Sequence, residues 1–135
     1  MAVPSRIGIE LSDGTIQSVY HHHLGYSRWL GRTLESHYDT EQKVSELISG
    51  GDMTSCWIDT RSVYGLPPIK SDEFGPDYYS NLGMNRPPQT HQNLEEYLNF
   101  SVENGSHFAY VFSEDSWSCY RIIDQPSPLL ISIEY

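Results

Sequence analysis

Cysteine is scarce in this chain: Cys56 and Cys119 are the only two, far apart and in no CxxC pair. Free buried thiols in a reducing cytosol are the expectation, with a single disulfide as the alternative. Long apolar runs are missing as well. No stretch approaches the length of a membrane span, and the opening MAVPSR lacks the apolar centre of a signal peptide. The expectation is a soluble protein that works in the cytoplasm.

Basic side chains are few, 8 against 18 acidic ones, for a formal charge of −10. Such a surface repels phosphate backbones, which argues against direct nucleic-acid binding. It keeps a small protein soluble, and it attracts a partner with a basic surface.

Catalytic signatures are also lacking. Gly50-Gly51 is not followed by the Lys-Ser/Thr of a phosphate loop. No Ser, Cys and His stand in a diagnostic arrangement, and Cys56 and Cys119 read as inert buried thiols before they read as nucleophiles. Asp13 belongs to a turn, Glu35 and Asp39 lie near a helix end, and Glu95-Glu96 occupies a first helical turn where acids suit the dipole. No cofactor is implied and no catalytic residue is assigned.

What is present is a single-domain length of 135 residues, and 13% aromatic content that includes ten tyrosines. Tyrosine packs as a hydrophobe with one polar end, which suits half-exposed cores and contact surfaces. Ile7, Ile9 and Leu11 alternate before Asp13-Gly14, a strong hairpin signal. A two-residue turn there pairs Leu11 with Ile16, Ile9 with Ser18 and Ile7 with Tyr20, and puts all six side chains on one core face.

Gly25 is expected to turn the chain at positive φ, and Ser27 to cap a helix carrying Leu30, Thr33, Leu34 and His37 on one stripe. Asp39 or Thr40 caps a second helix with Val44, Leu47 and Ile48 inward, ended by Gly50-Gly51. Residues 52–89 hold Pro67-Pro68, Pro76 and Pro87-Pro88 without periodicity, and read as a long irregular loop or insertion whose aromatics, Trp57, Tyr64, Phe74, Tyr78 and Tyr79, pack onto the core.

Thr90 or His91 caps a third helix, closed by Asn104-Gly105. Strands at Phe108–Phe112, Trp117–Ile123 and Leu129–Tyr135 follow, the first two joined by a Glu114-Asp115 turn. The fold class is α+β: a mostly antiparallel sheet from an N-terminal hairpin and three C-terminal strands, with three short helices and a long central loop.

Two groups of residues are site candidates. His21 and His23, two apart on a strand, share a face and could supply two metal ligands, though nothing fixes a third. Tyr20, His22, Tyr26, His37 and Tyr38 gather around the strand–helix corner, where together they would line an aromatic-polar pocket for a planar polar ligand or a peptide. The plainer reading is that these hydroxyls and rings satisfy buried backbone groups.

The same stretch carries a pattern: Gly8-Ile9-Glu10, Asp13-Gly14, Ser18-Val19-Tyr20, His22, Gly25-Tyr26, Gly31 with Leu34, and His37-Tyr38. It resembles a family of small, mostly uncharacterised proteins encoded by bacteriophages. The helix from Lys43-Val44 to Gly51-Asp52 and the run Leu94-Glu95-Glu96-Tyr97-Leu98 also fit, whereas Leu24 and Ser27 stand where the family shows Asp and Pro. The likeness covers about half the chain, mainly the N-terminal third, and implies a phage origin more than an activity.

The resulting expectation is a non-enzymatic phage accessory protein in the host cytoplasm. It would bind, and inhibit or redirect, a host protein with a basic surface, without contacting nucleic acid or membrane, and with a homo-oligomer allowed. Two alternatives stand beside it: a sponge for a nucleotide-like small molecule, and a virion structural or decoration protein.

Overall fold

The computed structural model describes residues 3–56 and 76–133. Strands β1 (Ser5–Glu10) and β2 (Ile16–His21) form the expected hairpin. After it come a π-helical turn (Ser27–Gly31), α1 (Arg32–His37) and α2 (Glu41–Ser49), then β3 (Met53–Cys56) and β4 (Pro76–Tyr78). A 3-10 turn (Tyr79–Leu82) leads to β5 (Gln89–His91) and α3 (Leu94–Glu103). Strands β6 (Phe108–Ser113), β7 (Ser116–Arg121) and β8 (Leu129–Ile131) complete one sheet in the order β4-β3-β2-β1-β6-β7-β8, with β5 also on β2. The α+β class holds, with three α-helices and a mixed, mostly antiparallel sheet among the described residues. The pairs β1–β6 and β2–β3 are parallel. Among the described residues no helix is long and apolar enough to cross a membrane.

The hairpin register differs by one residue from the sequence expectation. Leu11 N–H reaches the Thr15 carbonyl at 2.8 Å and Gly14 N–H reaches the Leu11 carbonyl at 2.9 Å, so the loop has three residues rather than two. Asp13 holds it: its carboxylate accepts from the Thr15 N–H at 3.0 Å and the Thr15 hydroxyl at 2.6 Å, while Gly14 takes φ +88°. Glu10 therefore faces Ile16, and Ile7 faces Val19. One residue of slip moves a whole strand's side chains to the other face. Ile7, Ile9, Val19 and His21 lie on one side; Arg6, Gly8, Ile16, Ser18 and Tyr20 lie on the other.

Both sides are covered. On the first, Leu30, Leu34, Val44, Leu47 and Ile48 from the α1–α2 arm pack on Ile7, Ile9, Val19, Met53, Tyr110 and Phe112. On the second, the Tyr97 side of α3 covers Ile16, Ala109 and Val111. Tyr97 is fully buried and donates its hydroxyl to the Tyr110 carbonyl at 2.6 Å. Complete burial of an aromatic contributes on the order of 2–3 kcal/mol, which locks α3 to the sheet.

Local expectations were partly displaced by neighbours. Thr40 caps α2, accepting the Lys43 N–H at 3.2 Å, and Gly50-Gly51 ends it. The first helix opens without the Ser27 cap: the Tyr26 carbonyl takes N–H groups from Trp29, Leu30 and Gly31, and Ser27 is buried. At the corner Leu24, at φ +56°, takes the left-handed conformation expected of Gly25. Gly25 is needed for room instead, since a Cβ there would stand 2.5 Å from the Val3 carbonyl oxygen. Asn93 caps α3, accepting the Glu96 N–H at 2.9 Å, because Thr90 and His91 are drawn into β5 by pairing with β2.

The segment 52–89 is not a continuous irregular loop. It supplies β3, β4 and the start of β5 to one side of the sheet; the expectations for Trp57, Tyr64 and Phe74 lie outside the described residues. The second C-terminal strand ends at Arg121 rather than Ile123, where the chain turns through Asp124 at φ +60°.

Candidate functional site

The structure brings only two of the five expected pocket residues together. The Tyr20 hydroxyl lies 2.7 Å from His22 Nδ1. Beside them Arg86 stacks over Tyr79 at 4.0 Å and over Tyr20 at 5.4 Å, and its Nε donates to Asp52 Oδ2 at 2.9 Å. Asp52 Oδ1 accepts the Tyr20 N–H at 2.8 Å, so this cluster ties the chain before β5 to β2.

Tyr38 is on the opposite face, where it takes the Cys56 thiol at 3.7 Å and its carbonyl accepts from Trp117 Nε1 at 2.8 Å. Tyr26 is exposed beside Phe108, and His37 is exposed at the end of α1. The one-residue register shift sends Tyr20 and His22 to the α3 side, away from the helical arm that carries His37 and Tyr38. The expected corner pocket is therefore not assembled from these five residues.

The histidine pair is divided in the same way. His21 is 1% exposed; its Nε2 accepts the Cys56 N–H at 3.1 Å and its Nδ1 lies 3.3 Å from the Ser5 hydroxyl. The acceptor role of Nε2 places the proton on Nδ1, so neither nitrogen offers a lone pair to a metal. Burial pushes its pKa down to about 3, with His23 and His22 adding to the shift. His23 is exposed, its ring 4.6 Å from that of His22. Among the described residues no three His, Cys, Asp or Glu side chains converge as a metal site.

Neither cysteine is poised as a nucleophile. Both thiols are free, and burial pushes the pKa of each up to about 12.

The concave feature that matches the chain's charge lies elsewhere. Strands β1 and β6 run parallel side by side, but each continues into a hairpin leading away from the other, β1 to β2 and β6 to β7. Chain departing to opposite sides from the carboxyl ends of neighbouring parallel strands leaves a crevice, as at the switch points of open α/β sheets. Here it is an open groove of about 370 Å³ with Ile9, Leu11 and Phe112 in its floor, and Glu10, Glu41, Glu114 and Asp115 around it with Ser12 and Ser113. All four acidic residues are exposed, and among the described residues no Lys, Arg or His joins the lining.

Each element positions its carboxylate for a local reason. Glu41 occupies the first turn of α2, where the dipole favours an acid. Glu114 and Asp115 form the two-residue turn between β6 and β7, at φ +51° and +61°. That turn geometry favours Asn-Gly, and left-handed backbone costs other residues about 1–2 kcal/mol each. The groove can seat an extended basic segment, its cations on the rim and its apolar parts on Phe112 and Leu11. Sequence reasoning found the Glu114-Asp115 turn but not the groove, because no local signal announces that β1 and β6 are neighbours. Compared with protein-family models, with curated proteins and with solved structures, the chain matches none.

Proposed function

We propose that this chain is a non-enzymatic accessory protein that acts by binding, its acidic groove receiving a basic surface of a partner protein. One observation carries the reading: four exposed carboxylates surround an apolar floor, with no cation in the lining among the described residues. The formal charge of −10 extends the same field over longer range and steers a basic partner toward it. The resemblance to small bacteriophage proteins supports placing that partner in the host cytoplasm, where binding would inhibit or redirect it.

Capture of partners from bacterial lysate on the immobilised full chain, at low and at high salt, tests this directly. A partner retained near 50 mM salt and released several-fold by 300 mM is the expected result, since rim charges are screened over about a Debye length. Capture that is indifferent to salt would count against the groove.

A sharper test exploits the β6–β7 turn. The double variant Glu114→Asn/Asp115→Gly removes two rim charges and places at the two left-handed positions the Asn-Gly pair that tolerates them best. It should stabilise the fold by about 1–2 kcal/mol while weakening the low-salt complex about tenfold. Thermal melts and a titration with the captured partner would show the opposite signs; a variant that binds as tightly as the parent would remove the turn from the site.

A further inference from the structure

We propose that β8 is a self-association edge, and that two copies of this chain join β8 to β8, antiparallel about a two-fold axis, into one continuous sheet. Among the described residues this strand ends the sheet on this side and pairs with β7 alone. Residues 125–133, QPSPLLISI, carry no charge. Leu129 is 49% and Leu130 60% exposed, beside an open groove of about 520 Å³ lined by Trp117, Leu130, Ile131 and Ile133, with Glu35 the one acidic residue among the described lining. A strand at the edge of a sheet points alternate N–H and C=O groups outward, and proteins blunt such edges with proline, charge or irregular register. The far edge has all three: Pro76, Asp77 and a register shift between Met53 and Ser55. β8 has no charge and no register shift, and its nearest proline, Pro128, stands before the strand rather than in it.

A second copy fits this edge better than the basic partner proposed above. A cation gains nothing from an uncharged strip, whereas copies that each carry −10 can approach only where the surface is neutral. Identical strands pair antiparallel with two-fold symmetry, so one patch serves both partners. Centred on Leu130, the ladder sets Leu130 opposite its own counterpart and Leu129 opposite Ile131. Leu129 and Ile131 both belong to the Cys119 face, so the apolar alternation of the two sheets runs on across the joint. The ladder is short and falls at the small end of specific interfaces, below about 1,200 Å², so the dimer forms at high micromolar concentration and dissociates on dilution.

Sedimentation velocity of the full chain from about 1 to 500 µM tests this. The expected result is a monomer at the low end and a dimer at the high end, with slower exchange of β8 amides in the dimer. Added salt should strengthen the association by screening the mutual repulsion of the copies, the reverse of its effect on a basic partner. Leu130→Lys should weaken the dimer at least tenfold while circular dichroism and melting temperature stay unchanged; Leu129→Lys serves in the same way if that variant unfolds. A monomer at every concentration would overturn the proposal. So would a dimer that survives both substitutions, or a chain that stays monomeric while its β8 edge binds an added apolar strand peptide.

Discussion

Acidifying the protein from pH 7 to pH 5 is expected to remove about 2 kcal/mol of folding stability through His21 alone, and about 3–4 kcal/mol by pH 4. In the folded state this ring is buried, accepts the Cys56 N–H on Nε2, and has its pKa pushed down to about 3 by desolvation and by His23 and His22. The unfolded chain takes up the proton at the ordinary histidine value of 6.5. Below that pH the unfolded state binds more protons, so stability is whole above about 6.5 and is lost progressively as pH falls toward 3.

His91 acts in the same direction. It is 5% exposed and its Nε2 lies 2.7 Å from the Ser18 hydroxyl. That hydroxyl also accepts from Arg6 Nε at 3.1 Å, so His91 and the Arg6 guanidinium share one oxygen. Protonation would set two cations around one hydroxyl, next to a guanidinium that is 2% exposed and whose Nη2 has no partner among the described residues. Burial and Arg6 both lower the His91 pKa, against a smaller opposing effect of Glu96.

Urea unfolding at pH 7, 6 and 5 measures the loss. The variant His21→Gln keeps an acceptor for the Cys56 N–H and should be less stable at pH 7 but flatter with pH. An unchanged pH slope in that variant would show that the loss arises elsewhere.

Gly51→Ala is expected to cost about 3 kcal/mol and lower the melting temperature by roughly 10 °C. Gly51 sits at φ +86°, and a Cβ there would stand 2.3 Å from the Arg86 carbonyl oxygen. That oxygen accepts the Asp52 N–H at 2.9 Å, within the cluster that fastens the Arg86 segment to β2. Relieving the clash therefore means loosening the Arg86–Asp52 ion pair and the Arg86–Tyr79 stack. Gly83 supplies the control: its φ is +80°, but nothing lies within 4 Å of a Cβ there. Gly83→Ala should cost only the left-handed conformation, about 1 kcal/mol. Equal losses in the two variants, read from paired thermal melts, would mean that the Arg86 contact does not constrain Gly51.

Much of the secondary structure was legible along the chain. Val44, Leu47 and Ile48 at helical spacing, Thr40 before them and Gly50-Gly51 after them give α2 almost residue by residue. The apolar run Phe108–Phe112 and the turn at Glu114-Asp115 mark the β6–β7 hairpin equally well. These features rest on contacts within a few residues. The Asp13-Gly14 turn was legible as a turn but not in its length, because Asp13 chooses between loop geometries through hydrogen bonds to Thr15 that a dipeptide pattern does not encode.

That single added residue decided the fate of the candidate pocket. Tyr20 and His22 lie on one face while Tyr38 lies on the other; Tyr20 is in β2 and Tyr38 at the end of α1 as expected, whereas His22 falls just past the end of β2 rather than within it. The central strands are not legible because their pairing is remote: β3 meets only the end of β2, His21 to His23 against Met53 and Thr54, and β4 carries a proline that reads as loop.

Composition and local pattern alone settle the class of this protein, its acidic charge and the course of α2 from its Thr40 cap to Gly50-Gly51, since those depend on side-chain type and near neighbours. Tertiary structure decides which carboxylates share a groove, which histidine is sealed from water and which strand edge stays open. Those outcomes require residues about a hundred positions apart, Ile9 and Phe112 among them, to be placed side by side, and no short window of sequence contains both.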